Sequence, residues 1–291
     1  MRLASFAAIL LAACATRPAT TTSAPAPTTA APTAAELSAI VGLPPGADDA
    51  TERVRSSPRH GEWAMIRDPQ GDSVRAWVVF PERRDKAPVV VVIHEIFGLT
   101  TWIRGVADQL AAEGFIAVAP DFLSGKLGGA NPDSISLDSA VAVVRTLDAA
   151  EVQRRIDAAA RYGMALPAAL PRYGVVGFCW GGSTSFAHAA HSPTLGAAVV
   201  YYGGSPPAAS LAAVRAPVLG LYGGSDARVN ATVPAADSAL RALGRTFDVH
   251  TFEGAGHGFL RQQAGQNGAN MTATREAWPL TVAWFRRYLG V

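Results

Sequence analysis

Three features of the sequence predict an α/β fold: a mostly parallel, doubly wound sheet with an N-terminal antiparallel hairpin and no large lid domain. Pro88-Val89-Val90-Val91-Val92-Ile93 is an unbroken β-branched apolar run, the pattern of a strand covered by helices on both faces. From that run to the C-terminus, short apolar segments alternate with segments of helical period, and repeated strand-helix units build parallel sheets. Upstream, residues 62–66 and 73–80 alternate apolar and polar side chains around Asp68-Pro69-Gln70-Gly71-Asp72, as the arms of a hairpin do.

Each later element has its own signal. Residues 101–113 place Trp102, Val106 and Leu110 on one helical face and stop before Gly114, and 115–119 form the next strand. A single long helix is expected over 137–164, on Val141, Val144, Leu147, Val152 and Ile156. Strands follow at 173–178, 196–201, 217–222 and 246–252, with helices at 181–190, 235–243 and 273–289. At 291 residues the chain suits one core of this class, which commonly reaches about 250 residues undivided. The formal charge is +2 and its residues are interspersed, which disfavours nucleic acid or an acidic membrane surface and favours a small-molecule partner.

The first residues read as a processing segment. Arg2 precedes an apolar run, residues 3–11, well short of the ~20 residues a membrane span needs. Leu11-Ala12-Ala13-Cys14 resembles the lipobox of bacterial lipoproteins, which implies a signal peptide over 1–13 and acyl chains on Cys14. Ala15, instead of Asp, implies by the same resemblance the periplasmic face of the outer membrane, so the expected location is the cell envelope, with membrane contact through the anchor alone. Residues 14–50 are then a lipidated cysteine and an Ala/Thr/Pro-rich linker, and 51–291 the folded domain, expected to be monomeric. With Cys14 acylated, the second of the two cysteines, Cys179, has no intramolecular partner. A solitary thiol in an oxidising compartment is a liability unless shielded or useful.

Cys179 sits in Gly177-Phe178-Cys179-Trp180-Gly181-Gly182, where a strand meets a helix. This is a nucleophile elbow with Cys in the usual Ser position, and the helix N-terminus is expected to favour the thiolate. Asp226 follows a strand through Gly223-Gly224-Ser225, and His257 follows the next within Gly254-Ala255-Gly256-His257-Gly258-Phe259. Taken singly, Asp226 could be a helix cap and His257 a loop histidine. Together with Cys179, in the order nucleophile, acid, histidine, they match an α/β-hydrolase. Two backbone N–H groups should complete an oxyanion hole, those of Trp180 and of Ile96 in the loop after the first parallel strand. The six histidines show no paired ligand spacing, so no metal and no organic cofactor are expected. A tethered non-catalytic binding protein on the same fold and a thiol redox sensor are the alternatives; the complete triad disfavours the first and the lack of a resolving cysteine the second.

His94-Glu95-Ile96-Phe97-Gly98, the Cys179 elbow, Ala119-Pro120-Asp121, Tyr201-Tyr202-Gly203, Gly224-Ser225-Asp226 and Gly256-His257-Gly258-Phe259 together resemble the dienelactone hydrolase (carboxymethylenebutenolidase) family over about 62–289. The resemblance implies an ester or lactone hydrolase with Cys179 as nucleophile, Asp226 as acid and His257 as base. It implies that Glu95 lies beside the resting thiol and helps to form the thiolate. Arg261 matches an arginine that pairs with this glutamate or with a substrate carboxylate, and Tyr201 and Lys126 are further substrate-binding candidates. The family's second substrate-binding arginine is missing: Gly125 stands in its place, with Lys126 next to it. A lysine cannot reproduce a bidentate guanidinium fork.

Overall fold

A computed structural model of the chain describes residues 42–128 and 132–290, together with Met1. The expected signal segment beyond Met1, Cys14 and most of the expected linker lie outside these residues. The elements are α1 (Ala50–Arg55), β1 (Gly61–Arg67), β2 (Ser73–Val79), β3 (Ala87–Ile93), α2 (Thr101–Ala112), β4 (Ile116–Pro120), α3 (Leu137–Val144), α4 (Ala149–Ala165), β5 (Ala169–Phe178), α5 (Trp180–His191), β6 (Ala197–Tyr201), α6 (Ala208–Leu211), β7 (Val218–Gly223), α7 (Ala227–Asn230), α8 (Val233–Ala242), β8 (Phe247–Phe252) and α9 (Ala269–Leu289). The eight strands form one sheet in the order β1-β2-β4-β3-β5-β6-β7-β8. β2 is antiparallel to both β1 and β4, and every other pairing is parallel.

The period of two explains the layering. Along β3, Val89, Val91 and Ile93 enter a core shared with α4, α5 and α8, while Val90 and Val92 enter a second core with α2 and α9. All residues of β3 are buried, so a polar side chain anywhere along it would lose water with no face to escape to. This doubly covered strand sets the parallel sheet, whose C-terminal ends carry ligands in open α/β folds.

The expected helix over 137–164 is two helices. Ser136 caps α3 by accepting from Ser139 N (3.2 Å), and Asp148 caps α4 by accepting from Glu151 N (2.8 Å). Asp148 with Glu151 three residues on is a helix-start signal that the continuing apolar period concealed. Buried Arg155 on α4 then ties the hairpin turn to the next loop: Nε donates to Asp72 Oδ2 (2.8 Å) and Nη1 to the carbonyl of Phe122 (3.1 Å).

Residues 42–49, which composition assigns to the linker, lie against the domain. Trp102 Nε1 donates to Pro45 O (3.0 Å), Gln263 Nε2 to Pro44 O (3.0 Å), and Ala47 N to Arg261 O (2.8 Å). These contacts use backbone atoms, which Ala/Pro/Gly composition does not reveal.

Replacing Asp148 by Ala should cost about 1 kcal/mol, the usual worth of an N-cap. Urea denaturation checks this, and an unshifted midpoint would contradict the capping account.

Candidate functional site

Cys179 alone joins β5 to α5, with φ 56° and ψ −114°. A non-glycine residue in that region costs about 1–3 kcal/mol unless its surroundings force it. Here they do. A Cβ on Gly177 would lie 1.9 Å from Gly181 O, and one on Gly181 would lie 2.3 Å from Ile93 O. Strand, turn and helix approach too closely for any side chain but the one that points out, and Cys179 N anchors the turn by donating to Tyr201 O (3.1 Å).

Asp226 begins α7, accepting from Val229 N (3.4 Å), and its Oδ2 lies 2.5 Å from His257 Nδ1. A carboxylate can only accept, so Nδ1 carries a proton, and in the neutral imidazole this leaves the lone pair on Nε2. The edge of Tyr202 packs on the imidazole at 5.1 Å between centroids. Among the described residues, no hydrogen bond joins His257 to the thiol.

The loop after β3 is pinned from within. Buried His94 donates from Nδ1 to Glu95 O (2.7 Å) and accepts at Nε2 from Phe122 N (3.2 Å), and burial holds its pKa below the ordinary histidine value. It is a neutral brace. The loop turns Glu95 inward, also buried, where desolvation raises its pKa to about 7 against the pull of Arg261, whose Nε lies 3.4 Å from Oε2. The Arg261 guanidinium itself rests over Phe97, 5.0 Å from the ring centre.

Burial, then the Glu95 charge, push the Cys179 thiol up to about 11, while the backbone N–H groups of Trp180 and Ile96 pull the other way. Desolvation and Glu95 thus outweigh the pull of the helix N-terminus toward the thiolate. Cys179, Ile96, Trp180 and His257 line a cavity of about 310 Å³ with Ser183, Tyr202, Gly204, Arg228 and Val229.

Cys179, Asp226, His257, Glu95, Ile96, Trp180 and Arg261 thus converge at the C-terminal edge of the sheet. Lys126 and Tyr201 do not line this cavity. Lys126 Nζ is 2.8 Å from Glu151 on α4, and Gly125 lines a separate cavity with Met65, Ser73 and Arg75. Gly125 has φ 77°, so an arginine there would be strained as well as misplaced. Tyr201 is buried, its hydroxyl 2.7 Å from Thr281 on α9. The next residue, Tyr202, lies just past the end of β6 with φ 40°, and it is this tyrosine that lines the cavity. Ser183 and Arg228 were not singled out from sequence, although they stand four residues after Cys179 and two after Asp226.

The dienelactone hydrolase family model matches residues 74–289. The chain belongs to the dienelactone hydrolase family. A Salmonella typhimurium relative provisionally named a carboxymethylenebutenolidase is 33% identical over 233 residues, which cover 76% of this chain and 85% of that protein. A crystal structure from Klebsiella pneumoniae, provisionally named a dienelactone hydrolase, superposes with TM-score 0.67 at 29% identity, covering 79% of this chain and 100% of that one. A dienelactone hydrolase-like promiscuous phosphotriesterase from metagenomic libraries gives 0.68 at 26% identity, covering 79% and 98%. Among the described residues no helix is long and apolar enough to cross a membrane.

Glu95 should make this dienelactone hydrolase relative less stable as pH rises. Its ordinary value is 4.5 and its folded value about 7, so between these limits the unfolded chain has released a proton that the native protein keeps. The contribution is intact below pH 4.5 and lost by about pH 7, with an upper bound of roughly 3 kcal/mol. Glu95→Gln should flatten urea midpoints across that window; parallel curves would contradict it.

Proposed function

We propose that this hydrolase of the dienelactone hydrolase family cleaves carboxylic esters or lactones through a thioester on Cys179. One observation carries the reading: a thiol held in a strained turn feels burial, the Glu95 charge and the backbone N–H groups of Trp180 and Ile96, and His257, oriented by Asp226, lines the same cavity. In the proposed reaction the thiol proton passes to Glu95, which titrates near neutrality and is the carboxylate that bears on the sulfur. Sulfur attacks the carbonyl carbon, and the oxyanion takes over the N–H groups of Ile96 and Trp180. The tetrahedral intermediate collapses, the alcohol leaves with the proton taken from sulfur, and the acyl group stays on Cys179. His257 Nε2 then removes a proton from water, hydroxide attacks the thioester, and His257 returns that proton to the departing sulfur. Asp226 holds the imidazole in the tautomer this needs. A non-catalytic tethered binding protein is not favoured.

The cations bear on the substrate. Arg261 is committed to Glu95 and Lys126 to Glu151, while Arg228 is exposed at the cavity, where solvent weakens its pull. Neutral aryl esters or lactones are therefore proposed to react at least as well as a carboxylated dienelactone. The sequence of the first 14 residues supports a second part of the proposal, a mature protein anchored in the cell envelope by acyl chains on Cys14.

Cys179→Ala should reduce hydrolysis of p-nitrophenyl acetate to background while leaving the unfolding midpoint near wild type, and Cys179→Ser should also be poor, a hydroxyl being far less acidic. Acid quenching of the wild type during turnover should trap an acetyl group on Cys179 by mass spectrometry. Retained turnover in the alanine variant would sink the mechanism. For the anchor, mass spectrometry of the mature N-terminus should find acylated Cys14; an intact Met1 would refute it.

A further inference from the structure

The cavity at Cys179 opens into a trough. A second cavity of about 370 Å³ shares Trp180, Ser183 and Gly204 with it and adds Leu147, Val152 and Ala187. A third of about 370 Å³ shares Ala187, Pro206 and Pro207 with the second and ends at Ala190, His191 and Ala213. The floor of this path is one face of α5. Trp180, Ser183, Ala187 and Ala190 or His191 recur at the three- and four-residue spacing that aligns side chains on a helix. From Trp180 to His191 the face runs about 16 Å at the helical rise of ~1.5 Å per residue. The start of α4 forms one wall, and residues 204–213 the other.

The lining is apolar in effect. None of the described residues lining the second and third cavities is Lys, Arg, Asp or Glu. Three polar side chains nearest Trp180 are engaged: Ser183 Oγ accepts from Gly204 N (2.8 Å), Thr184 Oγ1 donates to Trp180 O (2.9 Å), and Gln153 Oε1 pairs with His188 Nδ1 (2.7 Å). Ser205, Ser210 and His191 stand farther along, and the rest of the lining is mostly Leu, Val, Ala, Pro and Trp surface adjoining the cavity of the reactive sulfur.

We propose that this trough binds the extended alkyl arm of a neutral ester, which makes medium- to long-chain esters the preferred substrates. The inference rests on the thioester-hydrolase reading above. A saturated chain advances roughly 1.25 Å per methylene, the projection of a ~1.5 Å carbon–carbon bond, so the trough accommodates about 12 or 13 carbons. Full burial of a methylene is worth about fourfold in binding, and an open trough that covers about half of it gives about twofold.

The test is a chain-length profile of kcat/KM for monomeric esters, run in two series: p-nitrophenyl alkanoates, which lengthen the acyl arm, and alkyl acetates, which lengthen the alkoxy arm. At least one series should rise about twofold per methylene and level off near 12 or 13 carbons. Ala187→Phe should keep the wild-type rate on the two-carbon ester and level off near eight carbons, because it obstructs the trough about 10 Å from Trp180. Ala190→Phe, farther along, should affect only the longest chains. Flat or falling wild-type profiles in both series, or variant profiles that match wild type, would overturn the proposal. Acetate turnover separates the two levels of argument: its absence in the wild type defeats the hydrolase reading, whereas its presence with a flat profile defeats only the trough.

Discussion

The site depends on one steric constraint, the near-contact of three backbone segments where β3, β5 and α5 meet. Gly177 and Gly181 are compatible with that contact because they carry no Cβ, and the result is a turn in which a single residue must take a left-handed backbone. Cys179 takes it, so its side chain is thrown clear of strand and helix. The same contact brings the loop after β3 alongside the start of α5, so that Ile96 and Trp180 line one cavity with the sulfur. The strain is held by the strands behind it, since β3 is buried throughout and β5 is buried from Tyr173 to Phe178.

Given that geometry, magnitudes decide the protonation state. A helix N-terminus typically stabilises an adjacent anion by about 0.3–1 kcal/mol, reaching ~2 in partly buried sites. Removing a charge from water costs several kcal/mol, and the like charge of Glu95 adds to that cost for a thiolate. The balance falls on the thiol, whatever the helix contributes. Arg261 offsets part of the same penalty for Glu95, which leaves this carboxyl titrating near neutrality while the sulfur stays protonated.

How much could be read from the sequence follows from what each signal encodes. The parallel strands were legible because double coverage demands unbroken apolar runs, and Cys179, Asp226 and His257 follow at once because each stands a few residues past a strand end. Glu95 and Arg261 required the family resemblance, since nothing local announces that a glutamate will be buried. Tyr201 failed for a one-residue reason: β6 ends there and the backbone turns at Tyr202 with φ 40°, and the sequence does not say which of the two tyrosines faces the cavity. Lys126 failed because its partner, Glu151, comes from α4, whose start was hidden inside an apolar period running from 137 to 164. The docked stretch 42–49 was hidden because its polar contacts come from backbone groups, among them those of Pro44, Pro45 and Ala47, and only Leu43, Pro44 and Pro45 offer apolar side chains larger than alanine's.

Burial and the Glu95 charge hold the resting sulfur protonated, and the backbone N–H groups of Trp180 and Ile96 pull against them without prevailing. In the proposed reaction those donors serve the carbonyl oxygen, so the sulfur gives up its proton only once a carbonyl has entered the cavity. Binding and activation become one event. A passing oxidant or alkylating agent, lacking a carbonyl to lodge there, meets a protonated, half-buried thiol and not the thiolate on which such chemistry depends. The arrangement lets a lone cysteine persist as a nucleophile by making its reactivity conditional on the molecule it is meant to cleave.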